Sequence, residues 1–355
     1  MAQRIEDASM NNVDSGIIEQ IDALTQRLRG HHLYGPAEFW KTLGDQHKDL
    51  IRRHGFGKFK RTINFHYHQW SVPSLRDSKI RSLLLELLKH GRLPYGVLLV
   101  RMDARAIPRI DNFDPTAYTV FMGLLWQYAL MRDRLHCLDI CEEPLLGEPL
   151  PVTYRGRLIS QDLATSAIEL NFIAQHVDLS KTCRVAEIGA GYGRLAYVMA
   201  VTFPHLQYCI FDIPPALAIS QTYLVAVLGE TVVQPVQPNG TTAGLVAHSP
   251  QRMRAFLPHQ LELFPDGYFD LVINISSFDE MSREQVENYF SLIDKKCRGW
   301  FYIKGHCMAP HWCTNSAGGL AELPYREAWK LVGQRKDPFS PSFIERIYFI
   351  PGGGA

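Results

Sequence analysis

The chain reads as an α/β protein, a mostly parallel sheet flanked by helices behind a mainly helical N-terminal part. Three observations predict this. Residues 184–212 run as apolar segment, glycine turn, helical stripe and second apolar segment, the order strand–turn–helix–strand. Leu271-Val272-Ile273 and Trp300-Phe301-Tyr302-Ile303 are continuous apolar runs, the pattern of strands buried on both faces. Before residue 155 the apolar residues recur at helical spacing instead. Two domains are expected, 1–155 and 156–355. Pro144, Gly147, Pro149 and Pro151 mark a linker over 142–157.

Composition narrows the function. Of 355 residues, 46% are hydrophobic and 21% charged, enough apolar material for a sizeable core. Lys plus Arg is 37 and Asp plus Glu 36, so no basic field gathers nucleic acid or an anionic membrane. The seven cysteines follow no framework spacing, which predicts free thiols in a reducing compartment. The polar start MAQRIEDASMNNVDSG predicts neither a signal nor a transit peptide, and no apolar run reaches the ~18 residues of a membrane span. A cytoplasmic protein is expected.

In chain order, Asp14 is expected to cap a helix whose apolar face is Ile17, Ile18, Ile21, Leu24 and Leu28. Pro36 opens a second helix that closes at His54-Gly55. Gly55 to Trp70 fits neither period but is dense in groups that can touch a ligand: Lys60, Arg61, Asn64, His66, Tyr67 and His68 are candidates for a substrate-facing loop, and the segment reads equally as an irregular solvated one whose aromatics anchor it to a core. Helices are predicted at 74–90, 114–138 and 163–176, the last capped by Ser160, with a short strand or packed loop at 98–100. The aromatic stripe of 114–138 reads as core or as a subunit contact, a hint of a homodimer. Past residue 212, Pro214-Pro215 starts a helix to Leu228. Of two candidate third strands, 231–236 and 253–257, the second is preferred. Ser282 caps a helix. A helix is expected at 322–331 and a last strand at 343–350.

The glycine turn decides the nucleotide. A dinucleotide fingerprint needs glycine at position 194, where Arg194 stands, and its pyrophosphate would not tolerate an acid at the strand end. Here the order is E-x-G-x-G-x-G: Glu187, Gly189, Ala190, Gly191, Tyr192, Gly193. Asp212 ends the second strand, followed by Ile213. The turn resembles motif I of the class I methyltransferases that use S-adenosylmethionine (SAM). SAM carries an ammonium and a sulfonium and no phosphate, so acids suit it, and glycines let the backbone lie close. Asp212 is placed to accept the ribose hydroxyls, and Pro258, His259 and Gln260 follow the third strand where adenine would lie. VAEIGAGYGRLAYVMA, FDIPPALAISQTYL and FDLVINISSFDEMSREQVENYF together resemble the sugar O-methyltransferases of bacterial natural-product and surface-glycan pathways, and GFGKFKRTIN is similar to their N-terminal segment. The resemblance implies a class I methyltransferase, Rossmann-like sheet with an antiparallel last strand. It also implies SAM as cofactor and Asn274 to Phe278, including Ser276, beside the methyl-donor sulfur. By analogy, the helical part covers the cofactor or dimerises.

Methyl transfer to a hydroxyl needs alignment and a base, the base contributing about 10²–10⁴-fold. Candidates follow the fourth and fifth strands: Asp279, Glu280 and His306, with Lys304 available to anchor an anionic acceptor or to pair with a carboxylate at the sheet end. Glu280 reads equally as an acid at a helix N-terminus. His306, Cys307, His311 and Cys313 match no zinc-knuckle spacing, and magnesium on Asp279 and Glu280 is left open but not indicated. The expectation is methylation of a small-molecule hydroxyl, on a sugar or glycosylated metabolite. Two alternatives stand beside it: N-, carboxyl- or other O-methylation of a non-sugar metabolite, and a SAM-binding partner protein without turnover. Nucleic-acid methylation is disfavoured.

Overall fold

A computed structural model describes residues 2–63, 72–103, 113–182, 184–237, 244, 249–309 and 317–351. The chain opens with helices α1 (Ala2–Arg27) and α2 (Glu38–His54). A 3-10 turn (Phe56–Lys58) leads into α3 (Phe59–Thr62), followed by α4 (Ser78–Lys89) and α5 (Gly96–Leu99). Strand β1 (Val100–Met102) pairs with β2 (Val152–Tyr154), and β2 with β3 (Arg157–Leu158), in a small antiparallel sheet. Between them lie α6 (Pro115–Arg132) and α7 (Cys137–Ile140).

The main sheet begins after α8 (Gln161–Ala174) with β4 (Arg184–Ile188). There follow α9 (Arg194–Thr202), β5 (Gln207–Phe211), α10 (Pro214–Leu228), β6 (Val233–Gln234) and β7 (Met253–Phe256). After β8 (Phe269–Ile275) come α11 (Arg283–Lys296), β9 (Cys297–His306), β10 (Lys330–Lys336) and β11 (Phe343–Ile350). The strand order is β10-β11-β9-β8-β4-β5-β7-β6; β4 to β9 run parallel and β11 runs antiparallel to both neighbours. This is the class I methyltransferase, Rossmann-like arrangement. The connection that carries the chain back past β4 to β8 leaves a switch point above β4 and β8, where α/β sheets hold ligands.

The caps follow local chemistry. The Ser160 hydroxyl accepts from Leu163 N–H, and Ser282 with Gln285 forms a capping box on α11. Several expectations need correcting. Asp14 caps nothing: α1 runs straight through it, and its carboxylate instead accepts the Phe56 N–H at 2.7 Å, tying α1 to the turn after α2. The helix predicted for 114–138 stops at Arg132, because Asp133 takes the N–H groups of Cys137 and Leu138 and starts α7. Residues Ala117 to Ala129 of α6 are almost all buried within this chain, packed on α4, α5 and α8, so the aromatic stripe that hinted at a dimer is internal core. At 322–331 there is no helix. Pro324 has no N–H to give one, Leu320–Glu322 makes a single 3-10 turn, and Lys330 and Leu331 join the ladder with β11. The strand beside β5 is 253–256, with 233–234 at the sheet edge. Among the described residues, no helix is long and apolar enough to cross a membrane.

Candidate active site

A cavity of about 530 Å³ opens at the carboxyl ends of β4, β5, β8 and β9. Its floor is the turn after β4. Gly189, Gly191 and Gly193 all have positive φ (76°, 61° and 89°), which only glycine adopts at little cost. At Gly189 a Cβ would overlap the Ser277 side chain, and at Gly193, the N-cap of α9, one would press on Leu224. Gly193 therefore shapes the turn from outside the cavity, whereas Glu187, Gly189, Ala190, Gly191 and Tyr192 line it.

Two acids flank the turn. Glu187 is buried and accepts from Tyr208 Oη at 2.8 Å; burial pushes its carboxyl up to about 7. Asp212, just past β5, accepts the N–H groups of Gly191 (2.9 Å) and Ile213 (2.8 Å), and burial likewise holds it at about 7. Buried carboxyls without a cation or enough donors resist ionisation. An ammonium at Glu187 and a pair of hydroxyls at Asp212 would supply what each lacks, so these residues fit SAM.

The opposite wall carries the candidate bases. Asp279, in a 3-10 turn after β8, accepts from both the His306 backbone N–H (3.0 Å) and His306 Nδ1 (2.8 Å). Burial raises the Asp279 carboxyl and the His306 contacts pull it back. The acceptor bond to Nδ1–H fixes the imidazole tautomer with its basic lone pair on Nε2. Glu280 turns the other way and accepts from the Trp40 indole N–H; burial, with Asp279 and Asp212 adding, takes it up to about 8. Trp40, with Tyr34 to Ala37 and Leu43, forms the roof, contributed by α2 and the segment before it.

Other predicted residues are placed elsewhere. Lys304 lines the cavity, but its ammonium is held by Glu169 (2.9 Å) and Asp337 (2.5 Å), with Glu345 at 3.9 Å. Burial alone would lower it; those acids raise it instead. It thus pairs inside the sheet end, the second of its two expected roles. Lys60 is buried in an ion pair with Glu143, and Arg61 bonds the Glu148 carbonyl oxygen; neither lines the cavity, which corrects their reading as substrate-facing. Asn64, His66, Tyr67 and His68 lie outside the described residues, as do His311 and Cys313. Phe278 is 1% exposed and packs on Tyr289 and Phe290, so it is core. Asn274 is fully buried behind the cavity, where its Nδ2 donates to Ile188 O at 2.9 Å and ties the ends of β4 and β8. Ser276 lines the cavity with φ 61°. Of the loop after β7, only Pro258 reaches the cavity. Gln260 bonds Leu257 N–H and the Gln237 carbonyl, and His259 stacks on His31 at 4.8 Å.

Sequence reasoning missed the roof and one helix face. Gln161, Thr165 and Glu169 of α8 line the cavity. Their four-residue spacing was readable, but Asp162, Ser166 and Asn171 of the same helix are polar too, so it singled out no one face. Tyr34 and Trp40 gave no signal. Among the described residues, no three His, Cys, Asp or Glu side chains converge as a metal site.

Residues 157–237, from β3 through β6, match the family model of an O-methyltransferase domain. No curated protein matches the chain. Among solved structures, it is similar to the PH0226 protein from Pyrococcus horikoshii OT3 at 11% identity, over 54% of this chain and 92% of that one (TM-score 0.38). It is similar to the glycopeptide N-methyltransferase MtfA complexed with SAM at 12%, over 53% and 87% (TM-score 0.36). The N,N-8-amino-8-demethyl-D-riboflavin dimethyltransferase RosA from Streptomyces davawensis matches at 12%, over 52% of this chain and 57% of its own length (TM-score 0.34). None is close enough to carry an acceptor to this chain. The strand order and the matched segment, with a cavity whose acids fit the cofactor, make the chain a SAM-dependent methyltransferase.

Proposed function

We propose that this enzyme methylates a hydroxyl of a small molecule, a sugar or glycosylated metabolite, with His306 as general base and Asp279 as its orienting partner. The observation that carries this is the Asp279–His306 pair at the rim of the SAM-fitting cavity. An amine needs less base help and a carboxylate none, so a buried carboxylate fixing an imidazole tautomer favours a hydroxyl. Glu187, Gly189, Ala190, Gly191 and Tyr192 are read as the cradle of the methionine part. Asp212 and Ile213 hold the ribose, Pro258 meets the adenine, and Ser276 lies by the sulfur. Residues 1–155 are read as the cap, since Trp40 and Tyr34 close the cavity from above.

SAM, when bound, supplies a methyl group already activated on its sulfonium. The protein's share is to align the acceptor oxygen behind that methyl, exclude water under the Trp40 roof and take the hydroxyl proton at His306 Nε2 as the oxygen attacks. Asp279 then faces an imidazolium, which its carboxylate stabilises. Incubation with SAM and a panel of glycosides, free sugars, amines and carboxylates, read as S-adenosylhomocysteine release and acceptor mass, tests this. Methylated sugar hydroxyls that vanish with His306→Ala support it. Turnover confined to amines or carboxylates and indifferent to His306→Ala overturns it.

A further inference from the structure

The turn between β10 and β11, with Phe343 at its end, closes the side of the cavity beyond His306; Asp337, Phe339, Ser340 and Phe343 all line it. The turn holds itself. The Asp337 carboxylate accepts the N–H groups of Phe339 (3.0 Å) and Ser340 (2.8 Å). Phe343 N–H donates to the Ser340 carbonyl oxygen (2.8 Å), and Asp337 N–H to that of Phe343 (2.9 Å). Phe343 stands directly opposite His306 in the β9–β11 ladder, so the two side chains share a face of the sheet, and their ring centroids are 4.1 Å apart. The imidazole thus has Asp279 at Nδ1 and the Phe343 ring beside it. Phe339 is buried, whereas Phe343 is half-buried, so part of its ring stays open to a ligand in the cavity.

The chemistry of that wall selects among acceptors. One layer below His306 and Phe343, Lys304 and Glu345 oppose each other in the same ladder, and the charges around them are matched. Arg194 and Lys304 meet Glu169, Lys304 also meets Asp337, and Arg335 meets Glu345. Among the described residues of this wall, neither an anion nor a cation on an acceptor finds a partner left over for it. What stands beside the base is an aromatic ring and the hydroxyl of Ser340, a residue anchored in the turn through its N–H. A molecule that brings a hydroxyl to His306 Nε2 passes along that ring. A saccharide matches it: the C–H bonds of one sugar face lie against the electron-rich aromatic face, while hydroxyls at the sugar's edge reach Ser340 and His306. The imidazolium that forms as the proton arrives disfavours a cationic acceptor.

We infer that Phe343 is the platform on which an uncharged acceptor sugar stacks, with Ser340 holding one of its hydroxyls. The inference rests on the sugar O-methylation reading and names the residues that choose its acceptor. Steady-state kinetics of the full chain with SAM and the methyl glycosides of glucose, galactose, mannose and rhamnose tests it. Phe343→Leu keeps apolar bulk beside the imidazole but loses the ring face, and should raise KM for the glycoside about tenfold with the SAM dissociation constant unchanged. Phe343→Tyr keeps the face and should stay within about threefold of wild type. Ser340→Ala should raise KM about fivefold, and carries the test should Phe343→Leu fail to fold. An unchanged KM in these variants, or a loss confined to kcat, would overturn the inference and leave the sugar reading in place. So would a KM effect seen only with glucosamine, whose ammonium would then sit over the ring. Wild-type enzyme that methylates none of the glycosides removes the sugar reading, and the inference with it.

Discussion

SAM affinity should depend steeply on pH between 8 and 6, and the direction follows from two carboxyls. In the ligand-free site Glu187 and Asp212 each stand at about 7, against ordinary values of 4.5 and 3.8. An ammonium at Glu187 and ribose hydroxyls at Asp212 favour the ionised forms, so both values fall on binding. A group depressed in the complex contributes affinity that is present above its free value and lost as pH falls through it. From pH 8 to 6 a carboxyl titrating near 7 goes from roughly nine-tenths to roughly one-tenth ionised, which weakens binding about tenfold, or about 1.4 kcal/mol. With both groups the loss approaches about a hundredfold. Calorimetry at pH 7 in buffers of different ionisation heat should show roughly half a proton released per carboxyl. Glu187→Gln should remove one factor of ten from the pH dependence. It should also stabilise the ligand-free protein: a carboxyl raised by folding gives stability that is full below 4.5 and lost as pH rises through about 7. At pH 8 that loss is up to about 3 kcal/mol, and glutamine does not incur it. A dissociation constant flat from pH 8 to 6, or one that improves in acid, would refute the reasoning.

Other perturbations separate chemistry from architecture. His306→Ala should lower kcat about 10²–10⁴-fold with the SAM dissociation constant unchanged, and Asp279→Asn should cut kcat as well, by losing the tautomer; a variant with full turnover would remove His306 as the base. Gly189→Ala forces a side chain into positive φ and onto Ser277, and should cost on the order of 1–3 kcal/mol in denaturant melts while abolishing SAM binding. Lys304→Met leaves Asp337 buried without its cation and Glu169 with Arg194 alone, and should destabilise by about 3–5 kcal/mol; if it alters only KM for an anionic acceptor with stability intact, the ion-pair assignment fails.

The parts of this molecule that were legible in its sequence are those whose cause is local. The turn at Gly189, Gly191 and Gly193 is written in residue types because positive φ selects glycine wherever it occurs. Ser160 and Ser282 announce their helices because a cap acts within three residues. The continuous apolar run at β8 reports burial on both faces, whichever strands lie beside it. Asp279 and His306 were each named from their positions after a strand. That they hydrogen-bond one another follows only from the pairing of β8 with β9.

Charge misled where its partner was distant. Lys60 and Arg61 looked like ligand groups because a window of residues shows a cation and not what neutralises it. Glu143 lies 83 positions from Lys60, and Glu169 lies 135 from Lys304. The same blindness hid the roof, since Trp40 meets Glu280 across 240 residues. A charged side chain in a sequence is therefore a candidate for ligand contact only after the fold's own demands are subtracted. In this cavity the subtraction removes Lys304, and it leaves Glu187 and Asp212 as buried acids held near neutrality for want of a partner cation or further donors. These are the groups whose electrostatics a bound SAM would complete. Ligand-free stability and cofactor affinity should therefore move in opposite directions when either is replaced by its amide.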